Sequence, residues 1–117
     1  MDLTVIVPLL NEHESLPILA ERLHGVIGAM GLQYEVIFVD DGSRDKSLSV
    51  LETLVQQDPE HVRVVVFRRN FGQTAAIAAG LDYSRGDIII LLDVDMQNDP
   101  ADIPMLLAKL DEGYDLV

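Results

Sequence analysis

Apolar residues along the chain follow two spacings, and these spacings predict strands that alternate with helices. Short β-branched or aliphatic runs predict four strands, at 3–7, 34–39, 62–67 and 88–92. Apolar residues three and four positions apart predict helices at about 15–30, 46–57 and 73–84, and a last helix that follows Pro100 and reaches about Glu112. Residues 115–117 have the composition of an opening fifth strand. This order predicts a Rossmann-like α/β fold with a doubly wound, mainly parallel sheet.

Several element boundaries carry a residue that accounts for them. Pro8 should end the first strand because proline cannot donate to a ladder. Pro17 falls in the first turn of a helix, where its missing N–H costs little, and Gly31 should end that helix. Ser43 or Asp45 can cap the second helix. The periodicity predicts that the second and third helices bury the apolar residues Leu48, Leu51, Leu54 and Val55, and Ala76, Ile77, Gly80 and Leu81, respectively.

The fourth predicted strand ends in an unusual way. Its five aliphatic residues, Ile88 to Leu92, are typical of a strand buried on both faces, yet Asp93 and Asp95 follow at once and Gln97 continues the spacing. In a parallel sheet the carboxyl ends of the strands form the ligand-binding edge. Hard oxygen ligands placed there suit Mg²⁺ or Mn²⁺ carrying a nucleotide diphosphate. The alternative is a polar loop that only caps the strand.

A polar cluster follows every predicted strand, and parallel strands would bring these clusters to one edge. Taken alone, each cluster could be ordinary turn or cap chemistry. The third cluster leads into a helix N-terminus, a position where phosphate groups commonly bind. The three histidines have no ligand spacing and are interpreted as residues that bind no metal. The clusters are Asn11 and Glu12, then Asp40, Asp41 and Asp45, then Arg68, Arg69 and Asn70, and finally Asp93, Asp95 and Gln97.

Composition narrows the possible partners. The 117 residues suit one domain, and 8 Lys+Arg against 20 Asp+Glu give a net charge of −12. This charge argues against a nucleic-acid partner and against simple docking on anionic lipid. An acidic chain that binds an anionic nucleotide would need a divalent cation between them. The chain contains no cysteine, no GxGxxG and no GxxxxGK[ST], which disfavours a thiolate metal site, a dinucleotide fold and a Walker-type NTPase.

Four segments in this order resemble the motifs of one enzyme family. They are VPLLNE at 7–12, VDDGSRD at 39–45, RNFGQ at 69–73 and DVDMQNDP at 93–100. The chain resembles family 2 glycosyltransferases of the GT-A fold, most closely the polyprenyl-phosphate (dolichol-phosphate type) branch, over almost its whole length. The resemblance implies a nucleotide-sugar donor, with Pro8, Asn11 and Glu12 lining the base and ribose pocket and Asp41 contacting the nucleoside. Asp40, Arg69 and Gly72 are also expected at this nucleotide site.

The resemblance also implies a metal site and an acceptor. Asp93 and Asp95 would be the catalytic DxD pair that holds Mg²⁺ or Mn²⁺ on the diphosphate, and Gln97 would assist. The acceptor of this branch is a lipid phosphate, already anionic near neutral pH, so the transfer needs little help from a base and inverts the sugar carbon. Residues 70–73 and 95–98 resemble the corresponding segments of bacterial family members that use UDP-sugars. This resemblance favours a UDP-sugar over GDP-mannose as the donor.

The expected unit is one GT-A nucleotide-sugar-binding domain over 1–117, truncated at its C-terminal end. Membrane contact would then be made only through segments absent here, and the protein would lie in the cytoplasm or on the cytoplasmic face of the membrane. Alternatives remain: a family 2 transferase with a saccharide acceptor, a nucleotidyltransferase, a receiver-like signalling module, or a donor-binding fragment without turnover.

Overall fold

The computed structural model describes residues 1–92, 94, 100 and 103–111, and the expected fifth strand at 115–117 lies outside them. Every predicted element within this part is present, with boundaries shifted by a few residues. The strands are β1 (Leu3–Leu9), β2 (Tyr34–Asp40), β3 (Val62–Val66) and β4 (Ile88–Leu91). The helices are α1 (Leu16–Gly28), α2 (Ser47–Gln57), α3 (Gln73–Tyr83) and α4 (Ile103–Asp111).

The strands form one parallel sheet in the order β3-β2-β1-β4. Alternate residues of each strand point to opposite faces, so the sheet has two cores. On one face, Val5 and Phe38 pack with Leu19 of α1 and Leu51 of α2. On the other face, Ile6, Ile37 and Val39 pack with Ala76 of α3. Helices on both faces confirm the predicted doubly wound α/β fold, and they leave the loops after β1 and β2 side by side at the carboxyl edge.

Pro8 does not end the first strand, contrary to the prediction. It lies inside β1, in register with Val39 of β2. The carbonyl of Ile6 accepts a hydrogen bond from the N–H of Leu92 on the β4 side, and Pro8, two residues on, faces the same side. Leu91 is the last residue of β4 in register with β1, so Pro8 lies beyond that pairing. Its missing N–H would face β4 rather than β2, so the β1–β2 pairing continues past Pro8 while the β1–β4 pairing ends before it.

The expectation that strand four is buried on both faces is wrong for β4. Ile90 is 3% exposed, whereas Leu91 is 45% exposed. The reason is positional: β4 pairs only with β1 among the described strands, and α3 packs mainly against β1 and β2. The side chain of Leu91 is on the α3 face of the sheet, beyond the area that this helix covers.

The predicted helix faces are partly correct. Leu51 and Leu54 of α2 are buried, but Leu48 is 40% exposed. In α3 the buried residues are Ala76 and Gly80, whereas Leu81 is 46% exposed. Periodicity alone could not tell the buried residues of α3 from the exposed ones. This helix lies close to the sheet, so the face that it buries carries small side chains rather than the largest apolar ones.

That close approach predicts opposite effects for two glycine substitutions. A Cβ at Gly80 would lie 2.5 Å from Cγ2 of the buried Ile6, whereas a Cβ at Gly25 inside α1 would meet nothing within 4 Å. We expect Gly80→Ala to lower the free energy of unfolding by about 1 to 2 kcal/mol through overpacking. Gly25→Ala should raise it by about 0.5 to 1 kcal/mol through helix propensity. Urea denaturation measures both changes, and stabilisation by both substitutions would contradict the packing of α3 on β1.

Candidate functional site

The carboxyl edge of the sheet is built by the loops that follow β1, β2 and β3. The N–H of Asp41 donates to the carbonyl of Leu9 (2.9 Å), and the N–H of Phe67 donates to the carbonyl of Asp40 (2.9 Å). These bonds extend the parallel pairing beyond the strands. They align the starts of the three loops, so the polar residues that follow come close together.

Asn11 joins the first loop to the second. Its N–H donates to Ser43 Oγ (2.8 Å), and its side-chain oxygen accepts the N–H of Arg44 (2.8 Å). Asn11 has a φ of +54°, a left-handed conformation that asparagine tolerates better than most residues. Its amide therefore shapes the two loops rather than lining the cavity between them.

A second set of contacts continues this connection toward α2. The N–H of Glu12 donates to Ser47 Oγ (3.0 Å), and His13 Nδ1 lies 2.7 Å from Asp45 Oδ2. Asp45 also accepts the N–H of Ser47 (2.8 Å), the first residue of α2, but neither Asp45 nor Ser43 is the cap that the sequence predicted, because the N-cap position is Lys46 and it makes no side-chain cap hydrogen bond. Desolvation would raise the pKa of Asp45, but the hydrogen bonds from Ser47 and His13 outweigh it and hold this pKa well below its usual range. Asp45 is therefore a structural anion near neutral pH.

Asp41 fixes the third loop. It is 5% exposed, and its two carboxylate oxygens accept the N–H groups of Phe71 (2.8 Å) and Gly72 (3.1 Å). Gly72, at the N-terminus of α3, has a φ of +101°, which glycine adopts without strain. The carboxylate therefore determines where the third loop turns into α3.

Gly42 allows the second and third loops to touch. It has a φ of +82°, and a Cβ there would lie 2.5 Å from the carbonyl carbon of Arg69. Arg69 itself is exposed, with its guanidinium 4.6 Å from the ring centre of Phe71. Its charge lies over an aromatic face at the rim of the site.

A cavity of about 380 Å³ opens between these loops. Four of the predicted nucleotide-binding residues, Pro8, Glu12, Asp41 and Gly72, are in its wall. Asn11, Asp40 and Arg69 are not; Asp40 instead accepts the N–H of Ser43 (2.8 Å) within its own loop. The wall residues without a predicted nucleotide role are Leu9, Leu10, Asn70, Gln73, Ala76 and Val94. The sequence signal for them was position: all but Ala76 lie inside one of the four motif segments, and Ala76 is in the first turn of α3.

The predicted metal ligands Asp93, Asp95 and Gln97 lie outside the described residues. Leu92, before them, is 3% exposed, and Val94 is 3% exposed and lines the cavity. Both neighbours thus belong to the carboxyl edge. The ligand roles of the three residues stay predictions.

Comparison with known proteins decides the family. Residues 4–117 match the family model described as glycosyl transferase family 2. The chain belongs to this family. The resemblance inferred from the four motifs is thereby confirmed.

Relatives of this family member share its sequence over nearly its whole length. It is 46% identical, over 114 residues, to an undecaprenyl-phosphate 4-deoxy-4-formamido-L-arabinose transferase of Klebsiella pneumoniae subsp. pneumoniae. The alignment covers 97% of this chain and 35% of the relative, so the chain spans about a third of that relative's length. A relative of the same name from Shewanella sediminis is 45% identical over 114 residues, which are 97% of this chain and 34% of the relative.

Solved structures agree on the GT-A fold. Residues 1–349 of TarS from S. aureus superpose with a TM-score of 0.70 at 22% identity, over 96% of this chain and 33% of that one. The mannosyltransferase PcManGT from Pyrobaculum calidifontis, solved with GDP-Man and Mn²⁺, superposes with a TM-score of 0.66 at 27% identity, over 80% of this chain and 27% of that one. Within the part of this chain that the structure describes, no helix is long and apolar enough to cross a membrane.

Proposed function

We propose that this chain is the donor-binding part of an inverting glycosyltransferase that moves a sugar from a nucleotide sugar to a polyprenyl phosphate. The observation that carries the proposal is the cavity at the carboxyl edge of the sheet, which joins Pro8, Glu12, Asp41 and Gly72 in a member of family 2. Ligands of open α/β sheets bind at this edge. The acceptor class follows the name of the Klebsiella relative, which specifies undecaprenyl phosphate.

The cavity wall suits a nucleoside. Pro8 and Leu9 provide apolar surface for a base, and the carboxylates of Glu12 and Asp41 can accept hydrogen bonds from ribose hydroxyls or base N–H groups. Asp41 is already fixed by two backbone N–H donors, and carboxylate oxygens have further lone pairs for a ligand. Asn11 and Asp40 would act through the loops that they brace.

The cavity wall also suits phosphates. Gly72 and Gln73 bring the N-terminus of α3 into the wall, where the helix dipole favours anions. The exposed guanidinium of Arg69 lies on the loop that leads to this terminus, where it can reach a diphosphate. We assign Arg69 and Gly72 to the diphosphate side of the donor.

The charge of the wall requires a cation for this donor. Its described residues include the carboxylates of Glu12 and Asp41 and contain no Lys or Arg, so a diphosphate would meet net negative charge. Hard oxygen donors next to an anionic ligand fit Mg²⁺ or Mn²⁺. We propose that Asp93 and Asp95, the sequence neighbours of the wall residue Val94, hold this ion with help from Gln97. The bound ion would neutralise charge on the departing nucleoside diphosphate.

We propose UDP as the nucleotide, because residues 70–73 and 95–98 resemble the corresponding segments of bacterial family members that use UDP-sugars. The sugar to test first is 4-deoxy-4-formamido-L-arabinose, which the names of both relatives specify. The GDP-Man bound by the mannosyltransferase makes GDP the comparison ligand.

Calorimetric titration of UDP and of GDP into the purified chain, with and without Mn²⁺, tests the proposal. We expect UDP to bind, and binding to weaken at least tenfold without the metal, because the anionic wall then repels the diphosphate. In Asp95→Ala the benefit of Mn²⁺ should disappear while circular dichroism shows the fold retained. Failure of both nucleotides to bind the folded chain would contradict the proposal. Metal-dependent binding of wild-type strength in Asp95→Ala would remove the metal role of that residue.

A further inference from the structure

Three potential metal ligands from separate segments meet at the amino edge of the sheet, opposite the donor cavity. They are His24 of α1, Asp58 directly after α2 and His61 directly before β3. One ligand atom from each lies within 4.8 Å of the other two. His24 Nδ1 is 3.4 Å from Asp58 Oδ2, and His61 Nδ1 is 2.9 Å from Asp58 Oδ1.

These separations are close to those around a tetrahedral zinc ion. Two bonds of about 2.0 to 2.1 Å at the tetrahedral angle place ligand atoms about 3.3 Å apart. The two histidine-to-carboxylate distances lie on either side of that value, so small side-chain rotations would accommodate an ion. Nδ1 of His24 now lies 2.6 Å from the Tyr34 hydroxyl, and a bond to the metal ion would replace this contact.

Tyr34 organises this cluster. Its ring stacks on His61 with centroids 4.2 Å apart and planes 7° from parallel, which restricts the rotation of the imidazole. Its hydroxyl lies 2.6 Å from Nδ1 of His24. Tyr34 is therefore a hydrogen-bonding and stacking neighbour of the cluster.

The cluster lines a cavity of about 520 Å³ that is open to solvent. The side chain of His24 is 63% exposed, whereas those of Asp58 and His61 are 27% and 28% exposed. An ion can thus enter past His24, while two of its ligands are already held by the protein. Glu21, also in the cavity wall, adds negative charge nearby, and water can fill a fourth coordination position.

We propose that His24, Asp58 and His61 bind one transition-metal ion of the zinc class. Two imidazoles and one carboxylate are the ligands that such ions prefer, whereas Mg²⁺ prefers an all-oxygen shell. The site is distinct from the proposed Mg²⁺ or Mn²⁺ site and would tie α1 to the α2–β3 connection. The sequence interpretation gave the histidines no ligand role, because His24 and His61 come together only in the fold.

Zinc titration of the purified chain in the Asp95→Ala background tests the site, since that variant removes a carboxylate of the competing site. We expect one Zn²⁺ per chain and a rise in melting temperature on binding. His24→Ala and His61→Ala should each weaken the affinity about 100-fold or more, because even residues behind the ligands change metal affinity 10- to 100-fold. His13→Ala is the matched control: His13 also pairs with an aspartate, Asp45, but at the opposite edge, and the affinity should not change.

The outcomes separate the two proposals. Absence of Zn²⁺ binding, or equal affinity in the parent chain and His24→Ala, would overturn the zinc site. If loss of the Tyr34 stack unfolds His61→Ala, His24→Ala decides alone, because His24 is largely exposed and its removal should leave the fold intact. Co²⁺ provides a second readout: a tetrahedral nitrogen-containing shell gives an intense visible absorption band that His24→Ala should abolish. UDP binding with Mn²⁺ is a separate measurement, and its outcome does not depend on the Zn²⁺ titration or on the Co²⁺ absorption band.

Discussion

Glu35→Gln is expected to lower the free energy of unfolding at pH 7 by about 2 to 3 kcal/mol. The side chain of Glu35 is fully buried in β2. One carboxylate oxygen accepts the Thr4 hydroxyl (2.7 Å) and the N–H of Arg85 (2.7 Å). The other accepts the guanidinium groups of Arg63 (2.8 Å) and Arg85 (3.2 Å). Glutamine has one acceptor oxygen, and its amide N–H₂ would face donors.

The geometry around Thr4 increases this cost. Its Oγ1 accepts the N–H of Gly86 (2.8 Å), so the hydroxyl hydrogen is directed at Glu35. Arg63 and Arg85 are less constrained, since their side chains are 34% and 58% exposed and can turn toward water. We therefore place the loss below the 3 to 5 kcal/mol typical of breaking a fully buried pair.

The same contacts predict a pH dependence. Burial would raise the pKa of Glu35, but the hydrogen bonds from Thr4, Arg63 and Arg85 outweigh it and lower the pKa below its ordinary value of 4.5. A carboxyl group whose pKa is lower in the folded state stabilises the protein above its unfolded pKa, and this stabilisation is lost as the pH falls through the folded pKa. The stability difference between the wild type and Glu35→Gln should therefore be constant near neutral pH and shrink below about pH 4.5.

Urea denaturation from pH 3 to pH 8 measures the difference. Glu52→Gln is the matched control, because Glu52 is exposed on α2, and it should change the stability by less than about 0.5 kcal/mol. A Glu35→Gln protein as stable as the wild type at pH 7 would contradict the role of this network in holding together β1, β2, β3 and the segment before β4.

Glu35 also shows where sequence reasoning stopped. The alternation of apolar runs predicted the elements and the parallel sheet, because each run carries its own period. The partners of a buried charge are set by tertiary structure: Arg63 and Arg85 are remote from Glu35 in the chain. The only local signal was a charged residue in an otherwise apolar strand, which must find partners if it is buried.

The cavity at the carboxyl edge was more predictable than the cluster of His24, Asp58 and His61 for a topological reason. Parallel strands bring the residues after their carboxyl ends together whatever the details of the loops, so Glu12 and Asp41 could be placed in one site from their positions alone. The separate roles of neighbouring residues could not be predicted from position alone. Asn11 braces two loops, whereas Glu12 lines the cavity, because Asn11 has a φ of +54° and directs its backbone N–H to Ser43 Oγ.

Asp41→Asn is expected to lower the free energy of unfolding by about 2 kcal/mol, because the new amide N–H₂ of this buried side chain would face the N–H of Phe71 or Gly72, and one of these two donors would lose its acceptor. Movement of the third loop should also weaken Mn²⁺-dependent UDP binding at least tenfold. Asp82→Asn, exposed on α3, is the matched control for both quantities, and it should change the stability by less than about 0.5 kcal/mol and leave the affinity unchanged. Urea denaturation and calorimetry measure the two quantities, and wild-type affinity in a folded Asp41→Asn protein would remove Asp41 from the donor site.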